Sequence, residues 1–184
     1  IMRNPMAGVR KPAGSPHRDR LPTDAELAAL RISAGDDLTT ATARAYHAFR
    51  FAMETAMRAG EIVSMVPDDV QIEERFVRLP VTKNGTSRDV PLSREAVALL
   101  EALPPCGRTV FGLTDRQLDA LWRKLRDRAG VQGLTFHDSR HAAITRLAQR
   151  LDVLALARAV GHRDVRQLMT YYNEAATDLA KRLD

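Results

Sequence analysis

The stretch LTFHDSRHAAITRL, residues 134–147, joins two apolar positions to a polar cluster and then to a helical pattern. After the polar residues, apolar side chains recur through Leu147 at the spacing of one helix face. This pattern predicts a helix over residues 138–150. Its first turn brings the polar cluster, residues 137–141, next to free backbone N–H groups, which favour anions.

Three interpretations of this polar cluster are open from its spacing alone. His137 and Arg140 are three residues apart, so both side chains can face one phosphate at the helix start. In an ordinary structural interpretation, Asp138 or Ser139 is the N-cap and the other polar residues are exposed. In the third, His137 and His141 form a metal-binding pair, although position 138 is aspartate where the zinc-protease motif has glutamate.

A second polar segment follows in the chain. Gly161-His162 precedes a helix-like segment over residues 164–171, and Tyr171 and Tyr172 come at its end. A glycine often ends a helix, and buried tyrosines pack well with a single hydrogen bond. By itself this segment therefore fits ordinary helix packing.

Upstream, Thr23-Asp24-Ala25-Glu26 has the spacing of a capping box and predicts the start of a short helix. Apolar periodicity predicts a longer helix over about 40–54. Arg58 lies in the short break at 57–60, before another helical stretch through Met65.

A β-hairpin is predicted next, with one strand over residues 76–81 and the other around Val90 and Leu92. Asn84-Gly85 provides residues that tolerate positive φ at the turn, and Lys83 lies beside it. The fold class predicted is α+β, mainly helical with a small antiparallel sheet. The remaining helices are predicted near 94–102, 115–129, 138–150, 153–160, 164–171 and 174–183.

Residues 1–22 contain four prolines and several basic side chains with little apolar periodicity, which is typical of a linker or arm. Since the chain opens on Ile1, we expect a fragment whose preceding domain is absent. Cys106 is the single cysteine, so no internal disulfide can form and a reducing cytoplasm fits best. No apolar run approaches the roughly 20 residues that span a bilayer, so no membrane association is expected.

The charge balance favours a polyanionic partner. The chain has 28 basic residues against 23 acidic ones, a net charge of +5 and a pI near 9.9. All but four of the basic residues, the lysines, are arginine. Arginine has a planar fork that matches phosphate oxygens in pairs. Composition therefore suggests nucleic acid without deciding it.

The chemistry-bearing residues occur in an order that resembles the tyrosine recombinase family, the phage-type integrases. Residues 54–62, ETAMRAGEI, look like the first-arginine segment of that family, and residues 82–85, TKNG, look like its lysine hairpin. Asn4-Pro5 resembles the linker before the catalytic domain. Two departures are mild: Ala56-Met57 replaces a small residue and leucine, and Ser139 replaces an apolar residue. The ordered set is Arg58, Lys83, His137-x-x-Arg140, Gly161-His162 and Tyr171.

The resemblance implies a linker over residues 1–22 and a catalytic domain over residues 23–184, including a tail helix near 174–183. It also implies site-specific cleavage and rejoining of DNA through a 3′-phosphotyrosyl intermediate. In the roles it implies, Tyr171 is the nucleophile, with Tyr172 as a competitor. The implied supporting roles are phosphate binding by Arg58 and Arg140 with His162, general base for His137, proton donor for Lys83, and structural support of an arginine by Glu61.

The same resemblance implies no metal and no other cofactor. Its implied partners are double-stranded DNA, a tetramer of the protein on DNA, and accessory DNA-bending proteins at the nucleoid. The tail could equally pack on its own domain. Other functions compatible with these residues are type IB topoisomerase activity, a noncatalytic DNA-binding module, and a zinc hydrolase built on His137, His141 and His162.

Overall fold

The computed structural model describes residues 20–80, 87–162 and 164–172, together with residues 177 and 180. Within these residues the chain forms seven α-helices and a small three-stranded antiparallel sheet. The predicted α+β class is therefore confirmed. The elements are α1 Asp24–Ala34, α2 Ala41–Thr55, α3 Ala59–Ser64, β1 Val70–Gln71, β2 Phe76–Leu79, β3 Arg88–Pro91, α4 Arg94–Glu101, α5 Asp115–Arg128, α6 Asp138–Ala148 and α7 Val153–Val160.

The first two helices begin where their capping residues predict. Thr23 and Glu26 form the reciprocal capping box at the start of α1. The Thr40 hydroxyl accepts a hydrogen bond from the Ala43 N–H at the start of α2. Helix α2 ends at Ala56, a left-handed residue with φ of 56°. This end determines where the chain turns toward the predicted site.

The sheet contains one strand more than the hairpin predicted from the sequence. In β2 and β3, Val77 pairs with Val90, and both are fully buried. Strand β1 pairs with β2 at the opposite edge, but with only two residues it is too short to give an alternating pattern. The predicted turn, residues 81–86 with Lys83, lies outside the described residues.

The segment predicted as a helix over residues 164–171 is a 3₁₀ helix, Val165–Tyr171, and not an α-helix. It buries Leu168 fully and leaves Met169 exposed, so no wide apolar stripe supports α-helical geometry. With three residues per turn, Leu168 and Tyr171 share one face. The predicted arm up to residue 19 and the tail helix, apart from residues 177 and 180, lie outside the described residues.

Helix α2 lies at the centre and packs against α1, α3, α4, α5 and α6. On one side, Phe49 stacks on Trp122 of α5 with ring centroids 4.2 Å apart. On another, Arg146 of α6 donates hydrogen bonds to the carbonyls of Met53 and Glu54. Helix α6 is thereby held against the end of α2. None of the helices in the described part of the chain is long and apolar enough to cross a lipid bilayer.

Candidate active site

Arg58 lies in the turn between α2 and α3, as the break in periodicity predicted. It is the N-cap residue of α3, with extended backbone, and its side chain is 37% exposed. The neighbouring residues Ala56 and Met57 are buried. Arg58 can therefore face solvent, while the turn that carries it is anchored in the core.

Glu61 holds the Arg58 turn together through four hydrogen bonds. Its carboxylate accepts from the Arg58 backbone N–H at 2.9 Å and from Arg58 Nη1 at 3.0 Å. It also accepts a bidentate pair from Arg88, at 2.8 and 2.9 Å. Burial raises the pKa of Glu61, but the hydrogen bonds and charges of Arg88 and Arg58 lower it by more, so the pKa lies below its ordinary value. The carboxylate stays ionised between two guanidinium groups.

Arg88 is a site residue that the sequence reasoning missed. Arg88 is the first residue of β3 and follows the lysine-hairpin segment, residues 82–85, by three positions. Its side chain is only 9% exposed. It passes against Gly161 so closely that a Cβ on Gly161 would lie 2.7 Å from Arg88 Nη1. Gly161 also needs its φ of 69°, which favours glycine. Arg88 thus connects β3, Glu61 of α3 and the end of α7.

Arg140 is almost fully buried and bridges two other elements. Its guanidinium donates to the carbonyl of Ala56 at the end of α2, and at 2.7 Å to the carbonyl of Val160 in α7. Burial, together with the charge of Arg58, lowers the pKa of Arg140 to about 10. At neutral pH the group remains a cation, and an added anion would stabilise it.

The start of α6 differs from the ordinary structural interpretation. His137, not Asp138 or Ser139, occupies the N-cap. The Asp138 carboxylate instead accepts from the Thr135 N–H at 2.7 Å, and the Ser139 hydroxyl donates to the Phe136 carbonyl. Asp138, Ser139 and Arg140 are all buried. The ordinary structural interpretation is therefore wrong for the N-cap and for Arg140, whereas His137 is exposed as that interpretation has it.

Two imidazoles beside the arginines are neutral at neutral pH. Burial lowers the pKa of His162 to about 4, and the charges of Arg140, Arg58 and Arg88 act in the same direction. Burial and the charge of Arg140 also lower the pKa of His137. Within the described residues, His162 Nδ1 is buried without a hydrogen-bond partner. In both rings burial is the main cause of the lowered pKa, and neighbouring arginines add to it.

The two adjacent tyrosines have different surroundings. The Tyr171 hydroxyl lies 2.7 Å from Nδ1 of His141 in α6, and a charged Tyr171 would interact with the Arg140 guanidinium. The Tyr172 hydroxyl instead donates to the Leu151 carbonyl at 2.7 Å, and burial raises its pKa. Tyr171 faces the cationic cluster, whereas Tyr172 is part of the packing.

A cavity of about 270 Å³ opens beside this cluster, lined among others by Arg58, His137 and Arg140. Across the described ranges, no three His, Cys, Asp or Glu side chains are grouped closely enough to hold a metal ion. His137, His141 and His162 thus do not form the cluster that a zinc hydrolase needs. A larger apolar cavity of about 340 Å³, between Pro67, Leu100 and Val110, contains none of the predicted site residues.

The structure is a mostly helical domain with a cluster of arginines beside a cavity and a tyrosine within electrostatic reach of Arg140. The phage integrase family matches residues 25–178, most of the chain. The chain belongs to this family, so the resemblance predicted from the ordered residues is confirmed.

Two curated relatives cover almost all of the chain. A Haemophilus influenzae protein with the provisional name integrase/recombinase is 42% identical over 190 residues, spanning 100% of this chain and 62% of its own length. The shufflon-specific DNA recombinase of Escherichia coli is 38% identical over 185 residues, spanning 98% of this chain and 47% of its own length. The chain therefore spans about half to three fifths of the length of these relatives.

A solved structure has the same fold at low sequence identity. The catalytic domain of bacteriophage HP1 integrase is 19% identical, with a TM-score of 0.64. The alignment covers 89% of this chain and 92% of that domain. The mainly helical architecture with a small sheet is thus that of this catalytic domain.

The structure brings Arg58, Glu61, Arg140 and His162 together around the ends of α2, α6 and α7, while Lys83 lies outside the described residues. Alternation along β3 could have identified Arg88, because it shares a face with Val90. Helical spacing could have identified His141, which is three residues from buried Ile144. Neither pattern predicts which residue the side chain contacts, Glu61 for Arg88 and Tyr171 for His141.

Proposed function

We propose that this chain is the catalytic domain of a site-specific DNA recombinase, an integrase. It cleaves and rejoins DNA through a 3′-phosphotyrosyl intermediate. The observation that carries the proposal is the cluster of Arg58, Arg140 and His162 with Tyr171 beside it. The names and functions of the two relatives support DNA as the substrate.

The cationic cluster fits the needs of phosphodiester cleavage. The transition state carries extra negative charge on the nonbridging oxygens of phosphorus. Burial lowers the pKa values of Arg140 and His162, and the charges of the neighbouring guanidinium groups lower them in the same direction. A bound phosphate relieves that repulsion, so the arrangement favours an anion at this position.

Arg58 is the arginine best placed to bind phosphate directly, because part of its guanidinium is exposed while Glu61 fixes the rest. Arg140 is committed to two carbonyls and supplies charge together with its remaining N–H groups. His162 and His137, as neutral imidazoles, can each donate one N–H to a nonbridging oxygen or accept a proton.

Tyr171 is the proposed nucleophile. Its hydroxyl is hydrogen-bonded to His141, and its charged form would interact with Arg140, whereas the hydroxyl of Tyr172 is bound to a backbone carbonyl. A free phenol has a pKa near 10, so attack at neutral pH needs a group that takes its proton. His137 is the predicted general base, and a second imidazole, His141, has its Nδ1 2.7 Å from the phenolic oxygen.

The remaining steps need no metal and no ATP. Tyr171 attacks phosphorus, and the leaving 5′ oxygen takes a proton, a role that the family resemblance gives to Lys83. The phosphotyrosyl bond retains the energy of the original linkage. A 5′ hydroxyl from another strand then attacks phosphorus and releases the tyrosine. Arginines bear the charge that divalent ions bear in metal nucleases.

We further propose that residues 23–184 act as one catalytic domain and that four copies assemble on two DNA duplexes. In this assembly the tail near 174–183 docks on a neighbouring copy, and accessory DNA-bending proteins at the nucleoid help to shape the complex. Without DNA we expect a monomer. Light scattering with and without DNA tests this assembly, and a stable oligomer in the absence of DNA contradicts it.

The activity is tested with a pool of nicked duplexes that have a randomised centre. Cleavage near the nick lets the short strand diffuse away, so the protein stays covalently joined to a 3′ end. We expect the captured DNA to share a sequence, and an added 5′-hydroxyl strand to release the protein and yield a joined product. Relaxation of supercoiled DNA without such a joined product indicates a topoisomerase instead. Absence of any covalent adduct contradicts the proposal.

A further inference from the structure

The hydroxyl of Tyr171 and Nδ1 of His141 are 2.7 Å apart, the distance of a short hydrogen bond. We infer that His141 is a catalytic residue that accepts the phenolic proton as Tyr171 attacks DNA. This inference rests on the proposed function. It adds to that function a proton acceptor in direct contact with the reacting oxygen.

Two local geometries produce this contact. His141 lies in the second turn of α6, on the face that carries buried Ile144 toward the packed cluster of α6, α7 and the 3₁₀ helix. The three-residue period of the 3₁₀ helix places Tyr171 above fully buried Leu168 on the same side. The rings are 5.4 Å apart and inclined at 50°, so they meet through the hydrogen bond and not by stacking.

The packing around the contact is fixed on both sides. Arg140, the preceding residue, is held by carbonyls of α2 and α7, which fixes the rotation of α6. Tyr172, the following residue, is held by the Leu151 carbonyl, which fixes the end of the 3₁₀ helix. A proton acceptor must be within hydrogen-bond reach of its donor, and here neighbouring residues hold both partners.

His137, the predicted general base, has different neighbours. It lines the cavity beside Arg58 and is the N-cap residue of α6. His137 is therefore suited to contact with the phosphate. This division assigns one imidazole to the phosphate and the other to the phenol.

In the inferred step, the O–H bond of Tyr171 breaks and its proton moves to Nδ1 of His141, whose ring carries its other hydrogen on Nε2. The electron pair stays on the phenolic oxygen and forms the bond to phosphorus. The bond from phosphorus to the 5′ oxygen breaks with its electron pair, and that oxygen takes a proton from Lys83. Return of the proton from His141 accompanies release of Tyr171 in the rejoining step.

The test uses the most frequently captured duplex from the nicked pool and measures the cleavage rate constant at saturating DNA. His141→Ala should lower this constant by about 100-fold, within the range for general base catalysis, and leave DNA affinity unchanged. Added imidazole should restore at least part of the loss. His141→Gln can still hydrogen-bond the phenol but cannot take its proton, so we expect it to remain slow.

Asp89→Asn, an exposed change on β3, is the matched control and should cleave at the unaltered rate. Thermal unfolding of each variant shows whether it is folded. The inference is overturned if His141→Ala cleaves as fast as the unaltered chain or faster, or if His141→Gln cleaves normally and imidazole has no effect. A chain without any adduct contradicts the proposed function itself, whereas adduct formation that is insensitive to His141 contradicts only this inference.

Discussion

Replacement of Glu61 by glutamine should destabilise the chain markedly, because it removes the carboxylate that separates two guanidinium groups. Four hydrogen bonds end on this carboxylate, two of them from Arg88. The Arg88 and Glu61 side chains are 9% and 13% exposed, so their pair is nearly buried. Breaking a buried pair costs about 3–5 kcal/mol. Since Arg58 is partly solvated, the effect should be at the lower end of this range, and we expect Glu61→Gln to lower the free energy of unfolding by about 3 kcal/mol.

Urea unfolding at pH 7 measures this change, and Asp89→Asn provides the control. Asp89 pairs with Arg78, and both are more than half exposed, so its loss should cost less than about 1 kcal/mol. The pKa of Glu61 is lowered in the folded chain, so its stabilisation is present above its unfolded pKa and is lost as the pH falls through the folded value. If Glu61→Gln costs no more than Asp89→Asn, the assigned role of the buried carboxylate is wrong.

Three further changes test separate parts of the site. Gly161→Ala should lower the free energy of unfolding by about 1–3 kcal/mol in urea, since its positive φ is strained for alanine and the new Cβ meets Arg88; an unchanged midpoint would refute this packing. The pKa of His162 is about 4 in the folded chain against 6.5 in the unfolded chain, so the free energy of unfolding should fall as the pH drops from 6.5 to 4. His162→Asn should reduce this fall, which is measured by comparing unfolding at pH 7 and pH 5. Equal falls in both chains would contradict this. Tyr172→Phe should cost about 1 kcal/mol of stability and keep adduct formation, and loss of the adduct would count against a purely structural role.

Local patterns predicted the elements well where the signal is contained in a few neighbouring residues. The capping box at Thr23 and Glu26 marked the start of α1, and α7 has the bounds that its periodicity predicted. Strand β1 was missed because two residues carry no alternation. The 3₁₀ helix Val165–Tyr171 was mistaken for a helix of α type, since one buried residue does not define a period.

The candidate site was predictable in its residue types but not in its contacts. The order of the basic residues and Tyr171 identified the family. However, Arg88 meets Glu61 across 27 residues, and His141 meets Tyr171 across 30. Contacts at such separations depend on how β3, α3, α6 and the 3₁₀ helix pack, which no local spacing contains. The burial of Arg140 likewise depends on hydrogen bonds to two distant carbonyls, that of Ala56 at the end of α2 and that of Val160 in α7.

The most direct test of the account identifies the amino acid that becomes joined to DNA. The chain is incubated with the captured nicked duplex in the presence of EDTA, then digested with protease and nuclease, and the peptide that retains a nucleotide is sequenced by mass spectrometry. We expect a 3′-phosphotyrosyl link on Tyr171 that forms without divalent metal and is lost in Tyr171→Phe. A link on Tyr172, or an adduct that requires a metal ion, would contradict it.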